Sequence, residues 1–136
     1  MKFSPYLSFR GNCREAFDFY AKTFNGKILM QMTYGEAPVG QEMPEAVREQ
    51  IMHARIDIGG QFLMGSDAPG ERYKPIQGMQ ISVTVTEPGL AERIFKALSE
   101  GGSTYMAMQE TFWAHRFGMC NDRFGVAWMV NCEKAL

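Results

Sequence analysis

The chain has 136 residues, of which 46% are hydrophobic, and its formal net charge is −1. This length and composition predict one compact domain with an apolar core. Because the charge is nearly balanced, no basic excess exists to neutralise a phosphate backbone, and we expect no nucleic-acid partner. No apolar run approaches the roughly 20 residues that a membrane span needs, so we expect no membrane partner either.

The three cysteines, Cys13, Cys120 and Cys132, form no CxxC pair. An odd number without paired spacing argues against both a disulfide scaffold and a structural zinc site. Pro5 interrupts the N-terminal segment, which therefore does not have the pattern of a signal peptide. These features predict a cytoplasmic protein.

The first half of the chain predicts a strand, a helix and three further strands. Leu7 and Phe9 alternate with polar residues over 3–9, as in a half-buried strand. Asn12 and Glu15 have the spacing of a capping box, which predicts a helix that runs from there to about residue 24. A hairpin signal at Gly59-Gly60 joins the last two strands, and a polar loop with room for a short helix precedes them. The three strands are predicted at 27–34, 52–58 and 61–67.

The second half repeats this order after a Pro- and Gly-rich linker over 68–78. A strand over 78–85 leads to Pro88, which is well placed to open a helix, and Gly101-Gly102 ends that helix. Three strands complete the half. The pattern predicts an α+β fold of two βαβββ repeats, about 1–67 and 79–136, in a single domain over 1–136. Paired repeats would form one curved mixed sheet with the helices on the convex side, leaving a concave cavity for a ligand.

Three segments resemble a known superfamily. They are PYLSFRGNCREAFDFYAKTF, MHARIDIGGQFLMGSD and ETFWAHRFGMCNDRFGVAWMVN. They resemble the vicinal oxygen chelate superfamily of glyoxalases, bleomycin-resistance proteins and extradiol dioxygenases, in its PhnB-like branch. The resemblance implies the paired βαβββ fold and a homodimer. The branch often carries a ubiquinone methyltransferase label, but the turn FRGNCRE has a single glycine, whereas S-adenosylmethionine folds use a Gly-rich turn in a larger parallel sheet.

Metal-binding members of the superfamily offer one ligand from each of four strands of the concave face. By position these places fall on Ser4, Met64, Gln80 and Met129 in this chain. Only Gln80 is an ordinary ligand for a hard divalent ion. A one-residue slip in this register is no better and would offer Pro5, Leu63, Ile81 and Trp128. We therefore predict that the metal site is lost and expect no cofactor. A divalent metal at a different site remains an alternative, with His53, His115, Asp57 or Asp67 as its ligands.

The concave face should carry the ligand-pocket residues. The candidates share a predicted position opposite the helix-facing side chains, and they are Tyr6, Ser8, Gln80, Ser82, His53, His115, Met64, Met129 and Trp113. A structural role is the alternative for both histidines and for Trp113. Arg10, at the end of the first strand, could meet an anionic ligand. Trp128 is expected in the core, and Asp122 and Gly125 in a tight turn.

The sequence thus favours a small-molecule-binding protein whose ligand and reaction stay open. A metal-dependent lyase, isomerase or dioxygenase of the glyoxalase type is the first alternative. A protein that sequesters an antibiotic, and a structural module with a closed cavity, are the others.

Overall fold

The computed structural model describes residues 1–135, apart from the side chains of Val39 and Gln41. The chain forms two compact units, Met1–Pro75 and Ile76–Leu136. Each unit contains a four-stranded mixed sheet and a twelve-residue helix. The α+β class and the order strand, helix, strand, strand, strand are confirmed in both units, whereas the single-domain assignment and the repeat boundaries stay predictions.

Unit 1 places its four strands in the order β1-β4-β3-β2. Strand β1 runs parallel to β4, and the other neighbouring pairs are antiparallel. The polar loop before β3 contains the short helix α2, as the sequence predicted. The elements are β1 Tyr6–Phe9, α1 Cys13–Phe24, β2 Lys27–Thr33, α2 Glu45–Arg48, β3 Ile51–Ile58 and β4 Gln61–Asp67.

Unit 2 repeats this arrangement with the order β5-β8-β7-β6. Strand β5 is parallel to β8, and the remaining pairs are antiparallel. Pro88 is the first residue of its helix, as predicted. The elements are β5 Ile81–Thr84, α3 Pro88–Ser99, β6 Ser103–Gln109, β7 Ala114–Asn121 and β8 Ala127–Glu133.

Each helix packs on its own sheet at a glycine. A Cβ on Gly65 would lie 2.9 Å from the ring of Phe17 in α1, and one on Gly118 would lie 2.9 Å from the ring of Phe95 in α3. Glycine is therefore required for the close approach of helix and sheet. We call the opposite face of each sheet, which the unit's own helix leaves uncovered, the open face.

The strand register makes the two open faces equivalent position by position. Met64 in β4 lies beside Tyr6 in β1, and Met129 in β8 lies beside Ser82 in β5. Both methionines are half-buried. The predicted match of Met64 with Met129 therefore agrees with the strand pairing of both units.

The predicted capping box at Asn12 is wrong. Asn12 precedes α1, but its side chain makes no capping hydrogen bond. The carboxylate of Asp67, at the end of β4, accepts from the backbone N–H groups of Gly11 at 2.8 Å and Cys13 at 3.1 Å. The first N–H groups of a helix have no intrahelical acceptors. At the start of α1 the acceptor is therefore Asp67, which is distant in sequence, and not the side chain of Asn12.

The first strand also begins later than predicted, at Tyr6 rather than Phe3, which is 93% exposed. The hairpin at Gly59-Gly60 is confirmed, with both glycines at positive φ. Among residues 1–135, the structure has no helix both long and apolar enough to cross a bilayer.

Candidate functional site

An open pocket of about 580 Å³ lies on unit 2. Its floor comes from the open face of the sheet, and the segment that leads into β5 forms one side. Nine residues line it: Ile76, Gln77, Gly78, Met79, Gln80, Tyr105, Asn121, Ala127 and Met129. Two of the predicted candidates, Gln80 and Met129, are thus brought together here.

Tyr105 and Asn121 face each other across the pair of strands β6 and β7. The amide Nδ2 of Asn121 donates a hydrogen bond to the phenol oxygen of Tyr105. Because that oxygen acts as the acceptor, its own hydrogen is available to a ligand. Tyr105 is 61% exposed, so its ring stands at the rim of the pocket.

None of the nine lining residues carries a charge. The polar groups are amides and one phenol, which donate and accept hydrogen bonds without a net charge. Met79 and Met129 add polarisable thioethers that adapt to an aromatic ring. Such a lining is suited to a neutral ligand with one flat apolar part and one hydrogen-bonding part.

Asn131 lies two residues beyond Met129 and points to the same side of β8. Its Nδ2 donates to Glu133 at 3.1 Å, while its Oδ1 is buried and has no hydrogen-bond partner among the described residues. A buried acceptor without a partner costs free energy unless a ligand or water supplies the donor. Asn131 is buried and is not among the residues that line the pocket.

The open face of unit 1 brings Tyr6 and His53 together. The phenol oxygen of Tyr6 lies 3.2 Å from Nδ1 of His53, and the two rings stack with centroids 5.8 Å apart. His53 thus has a partner that the sequence did not reveal. Its other ring nitrogen, Nε2, remains available on this face.

Arg55 occupies the middle of the same face, between Met64 in β4 and Met30 in β2. Its guanidinium lies 5.2 Å from the ring centroid of Phe62, and Lys2 approaches that ring at 4.8 Å. The equivalent position in unit 2 is Met119, which pairs with Met129 as Arg55 pairs with Met64. The two open faces therefore differ in charge.

The other predicted site residues take separate positions. Ser8 and Ser82 are exposed on β1 and β5. His115 is exposed on β7 beside an irregularity in the strand register, and it is not among the pocket-lining residues. Trp113 makes edge-to-face contacts with Phe117, at 5.3 Å between ring centroids, and with Phe112, at 4.9 Å.

Asp122 forms the predicted turn and also fixes Trp128. Its Oδ1 accepts from the backbone N–H groups of Phe124 at 2.8 Å and Val126 at 3.0 Å, and its Oδ2 accepts from the indole Nε1 of Trp128 at 2.9 Å. Trp128 is 2% exposed, so the prediction that it belongs to the core is confirmed.

All three cysteines are buried and free. Burial raises the pKa of the Cys120 thiol from 9.0 to about 11, and the charge of Asp122 acts in the same direction. Burial and then Asp67 also raise the pKa of Cys13, although Arg14 opposes them. Because the nucleophile is the thiolate, Cys13 and Cys120 are unsuited to nucleophilic catalysis.

The donors at the family's metal positions do not fit a hard divalent ion. Met64 and Met129 offer thioethers, whereas Mg²⁺ or Mn²⁺ prefers oxygen ligands. The two aspartates that are alternative metal ligands already accept hydrogen bonds from the backbone. Asp67 accepts from three N–H groups, and Asp57 accepts from the N–H of Gly60 at 2.7 Å. Within the described part of the chain, no three His, Cys, Asp or Glu side chains come close enough to hold a metal.

Four polar residues on the open faces, Arg55, Tyr105, Asn121 and Asn131, are not among the residues that the sequence indicated for the site. A signal was present in two of them: Arg55 interrupts MHARIDI, and Asn131 interrupts VAWMVNC. In these two strands the interrupting side chain lies on the open face. Tyr105 and Asn121 gave no such signal, because polar residues are ordinary at the edges and ends of strands.

The fold is that of the vicinal oxygen chelate superfamily. A glyoxylase/bleomycin resistance protein/dioxygenase domain from Frankia sp. EAN1pec, 13% identical, matches 98% of this chain and 95% of its own with a TM-score of 0.63. At that identity the likeness shows the fold alone.

Within this fold, the chain belongs to the 3-demethylubiquinone-9 3-methyltransferase family, whose model matches residues 1–131. Protein YjdN of Escherichia coli is 36% identical over 98% of this chain and 97% of its own. The structure of PA1353 from Pseudomonas aeruginosa is 45% identical, covers 99% of both chains and has a TM-score of 0.89. A PhnB protein from Bacillus cereus, 24% identical, covers 96% of this chain and 98% of its own with a TM-score of 0.82.

Proposed function

We propose that this PhnB-like protein binds a neutral, partly aromatic small molecule in the unit 2 pocket, without a metal ion. The observation that carries the proposal is the uncharged lining of that pocket. Gln80 and Asn121 offer amide groups, and Tyr105 offers a phenol hydrogen, so a ligand with an amide or hydroxyl group finds both donors and acceptors.

Independence from metal follows from the donor types. Of the four positions where related proteins hold an ion, two are thioethers and one is a serine hydroxyl. These donors are weak and carry no negative charge, so they do not compensate a hard cation for the loss of its bound water. Gln80 then acts as a hydrogen-bonding group for the ligand rather than as a metal ligand.

The family's name describes a methyl transfer that the architecture does not favour. The connection between β1 and α1 holds one glycine, Gly11, and each sheet contains a single parallel pair of strands. A nucleotide-like cofactor is normally held at a Gly-rich turn in a mainly parallel sheet. We therefore assign ligand binding and no methyltransferase activity.

Titration calorimetry with benzamide and phenol tests this function. For ligands of this size we expect saturable binding with a Kd on the order of 1 mM. The variant Met129→Trp should fill the pocket and abolish binding. Met64→Trp, at the equivalent position of unit 1, is the matched control and should bind both compounds as the wild type does.

Two results would overturn the proposal. One is the failure of both compounds to bind the wild type at concentrations well above the expected Kd. The other is equal binding by wild type and Met129→Trp, provided that circular dichroism shows both to be folded.

The resemblance also suggests a homodimer, in which pairing covers the exposed edges of the sheets. Strands β1, β2, β5 and β6 are the edge strands of the two sheets. Light scattering coupled to gel filtration would give a mass of twice 15.4 kDa if the dimer forms and a single chain mass if it does not.

A further inference from the structure

We infer a second binding site, for a small carboxylate, on the open face of unit 1 and centred on Arg55. It rests on residues other than those that line the unit 2 pocket. The starting observation is a positive charge in the middle of a sheet face, flanked by two methionine side chains.

The Arg55 guanidinium has no counter-charge within the described part of the chain. Its Nε is buried without a hydrogen-bond partner, and the described ion pairs involve other residues. A partly desolvated charge without a partner costs free energy, because the surroundings replace water poorly. An anion bound to the guanidinium would offset that free-energy cost.

The terminal nitrogens of Arg55 are the part that an anion can reach. Nε of Arg55 is buried, but the residue as a whole is only half-buried. The outer end of the guanidinium therefore lies at the surface. Phe62 packs on the guanidinium at 5.2 Å and limits its movement. A planar group held in this way matches the two oxygens of one carboxylate.

A single carboxylate suits the site better than a phosphate dianion. Met64 and Phe62 offer apolar surface beside Arg55 to the ring of an aromatic carboxylate, which inorganic phosphate lacks. The N–H groups of Gly11 and Cys13, which would otherwise favour an anion at the start of α1, are taken by Asp67. The face therefore favours a carboxylate that carries a ring.

The rest of the ligand would extend toward Tyr6 and His53. Tyr6 and Arg55 are two strands apart, which separates their backbones by about 10 Å. Met64 lies between them and offers a thioether surface to a ring. Nε2 of His53, which lies two residues from Arg55 on β3, can then make a hydrogen bond to the ligand, because Nδ1 is engaged by Tyr6.

Benzoate, with benzamide as its neutral isostere, provides the test. Calorimetry should show benzoate binding that is at least tenfold weaker in Arg55→Met, the residue type that unit 2 carries at this position. Arg55→Lys keeps the charge but loses the planar fork and should bind several-fold more weakly than the wild type. The Nε–H resonance of Arg55 in a ¹H–¹⁵N spectrum should shift on adding benzoate.

The matched control is Arg10→Met. Arg10 also stacks on an aromatic ring, that of Tyr73 at 4.6 Å, and is exposed at the end of β1. Benzoate should bind this variant as it binds the wild type. A further titration uses inorganic phosphate in place of benzoate. Phosphate should bind at least tenfold more weakly than benzoate.

Several outcomes would overturn the inference. They are no benzoate binding to the wild type, an unchanged affinity in Arg55→Met, loss of binding in Arg10→Met instead, or phosphate binding more tightly than benzoate. Benzamide binding that survives Arg55→Met but not Met129→Trp belongs to the unit 2 pocket. The two proposals can therefore fail separately.

Discussion

The carboxylate oxygen Oδ2 of Asp67 accepts a hydrogen bond from the backbone N–H of Ile51 at 2.8 Å. The other oxygen of Asp67 serves Gly11 and Cys13, so one buried acid joins the end of β4 to the starts of β3 and α1. Asp67 is 1% exposed. Three chain segments that are distant in sequence therefore depend on one side chain.

Replacing Asp67 with Ala should lower the free energy of unfolding by about 3 kcal/mol or more, because three backbone N–H groups, two of them in buried hydrogen bonds, lose their acceptor. Urea denaturation followed by circular dichroism would measure it. Asp57→Ala is the control: it removes one hydrogen bond in an exposed turn and should cost about 0.5–1 kcal/mol. Equal losses in the two variants would contradict the role given to Asp67.

Asp122 and Trp128 should be energetically coupled. Asp122→Asn keeps an acceptor for the turn but places an amide donor opposite the indole N–H. We expect Asp122→Asn to lower the free energy of unfolding by about 2 kcal/mol in the wild type and by clearly less in a Trp128→Phe background. A double-mutant cycle measures this difference. A cost that is the same in both backgrounds would mean that the hydrogen bond to Trp128 contributes nothing.

Stability should decrease as the pH rises above 9. The folded chain holds the pKa of Cys120 near 11 because the thiol is buried, whereas its ordinary value is 9.0. Below pH 9 both states keep the proton, so this group adds no pH dependence; between pH 9 and 11 the unfolded state loses it first, which favours unfolding. Melting temperatures across this range should fall less steeply in Cys120→Ala. An identical slope in that variant would contradict the assignment.

The phenol of Tyr105 should contribute to ligand binding at the unit 2 pocket. Tyr105→Phe keeps the ring but removes the hydrogen that a ligand would accept, and benzamide should bind roughly fivefold more weakly, equivalent to about 1 kcal/mol. Tyr73→Phe, in unit 1, is the control and should leave the affinity unchanged. Weaker binding in the control and unchanged binding in Tyr105→Phe would place the benzamide elsewhere.

Most of the fold could be predicted because local patterns decide it. Alternation identified β1, although that strand begins only at Tyr6, Pro88 marked the start of α3, and Gly59-Gly60 marked the hairpin between β3 and β4. The capping of α1 could not be predicted, because the acid that satisfies it is 54 residues away from Cys13. Asn12 has the residue type and position of a local cap, but its side chain makes no capping hydrogen bond.

The candidate site was predicted only in part. Gln80 and Met129 were selected from their position on the open face, and they do line the pocket. Pairs such as Tyr6 with His53, or Tyr105 with Asn121, depend on the register between strands and on which side chains turn toward each other. Sequence periodicity indicates a face but does not indicate which residues meet on it.

The most direct test of the central claim compares benzamide binding in protein dialysed against EDTA with binding in protein loaded with Mn²⁺ or Ni²⁺. The donor types at Ser4, Met64, Gln80 and Met129 predict Kd values that agree within about twofold. Loss of binding after EDTA, with recovery on adding the metal and no recovery in Gln80→Ala, would contradict a metal-independent site.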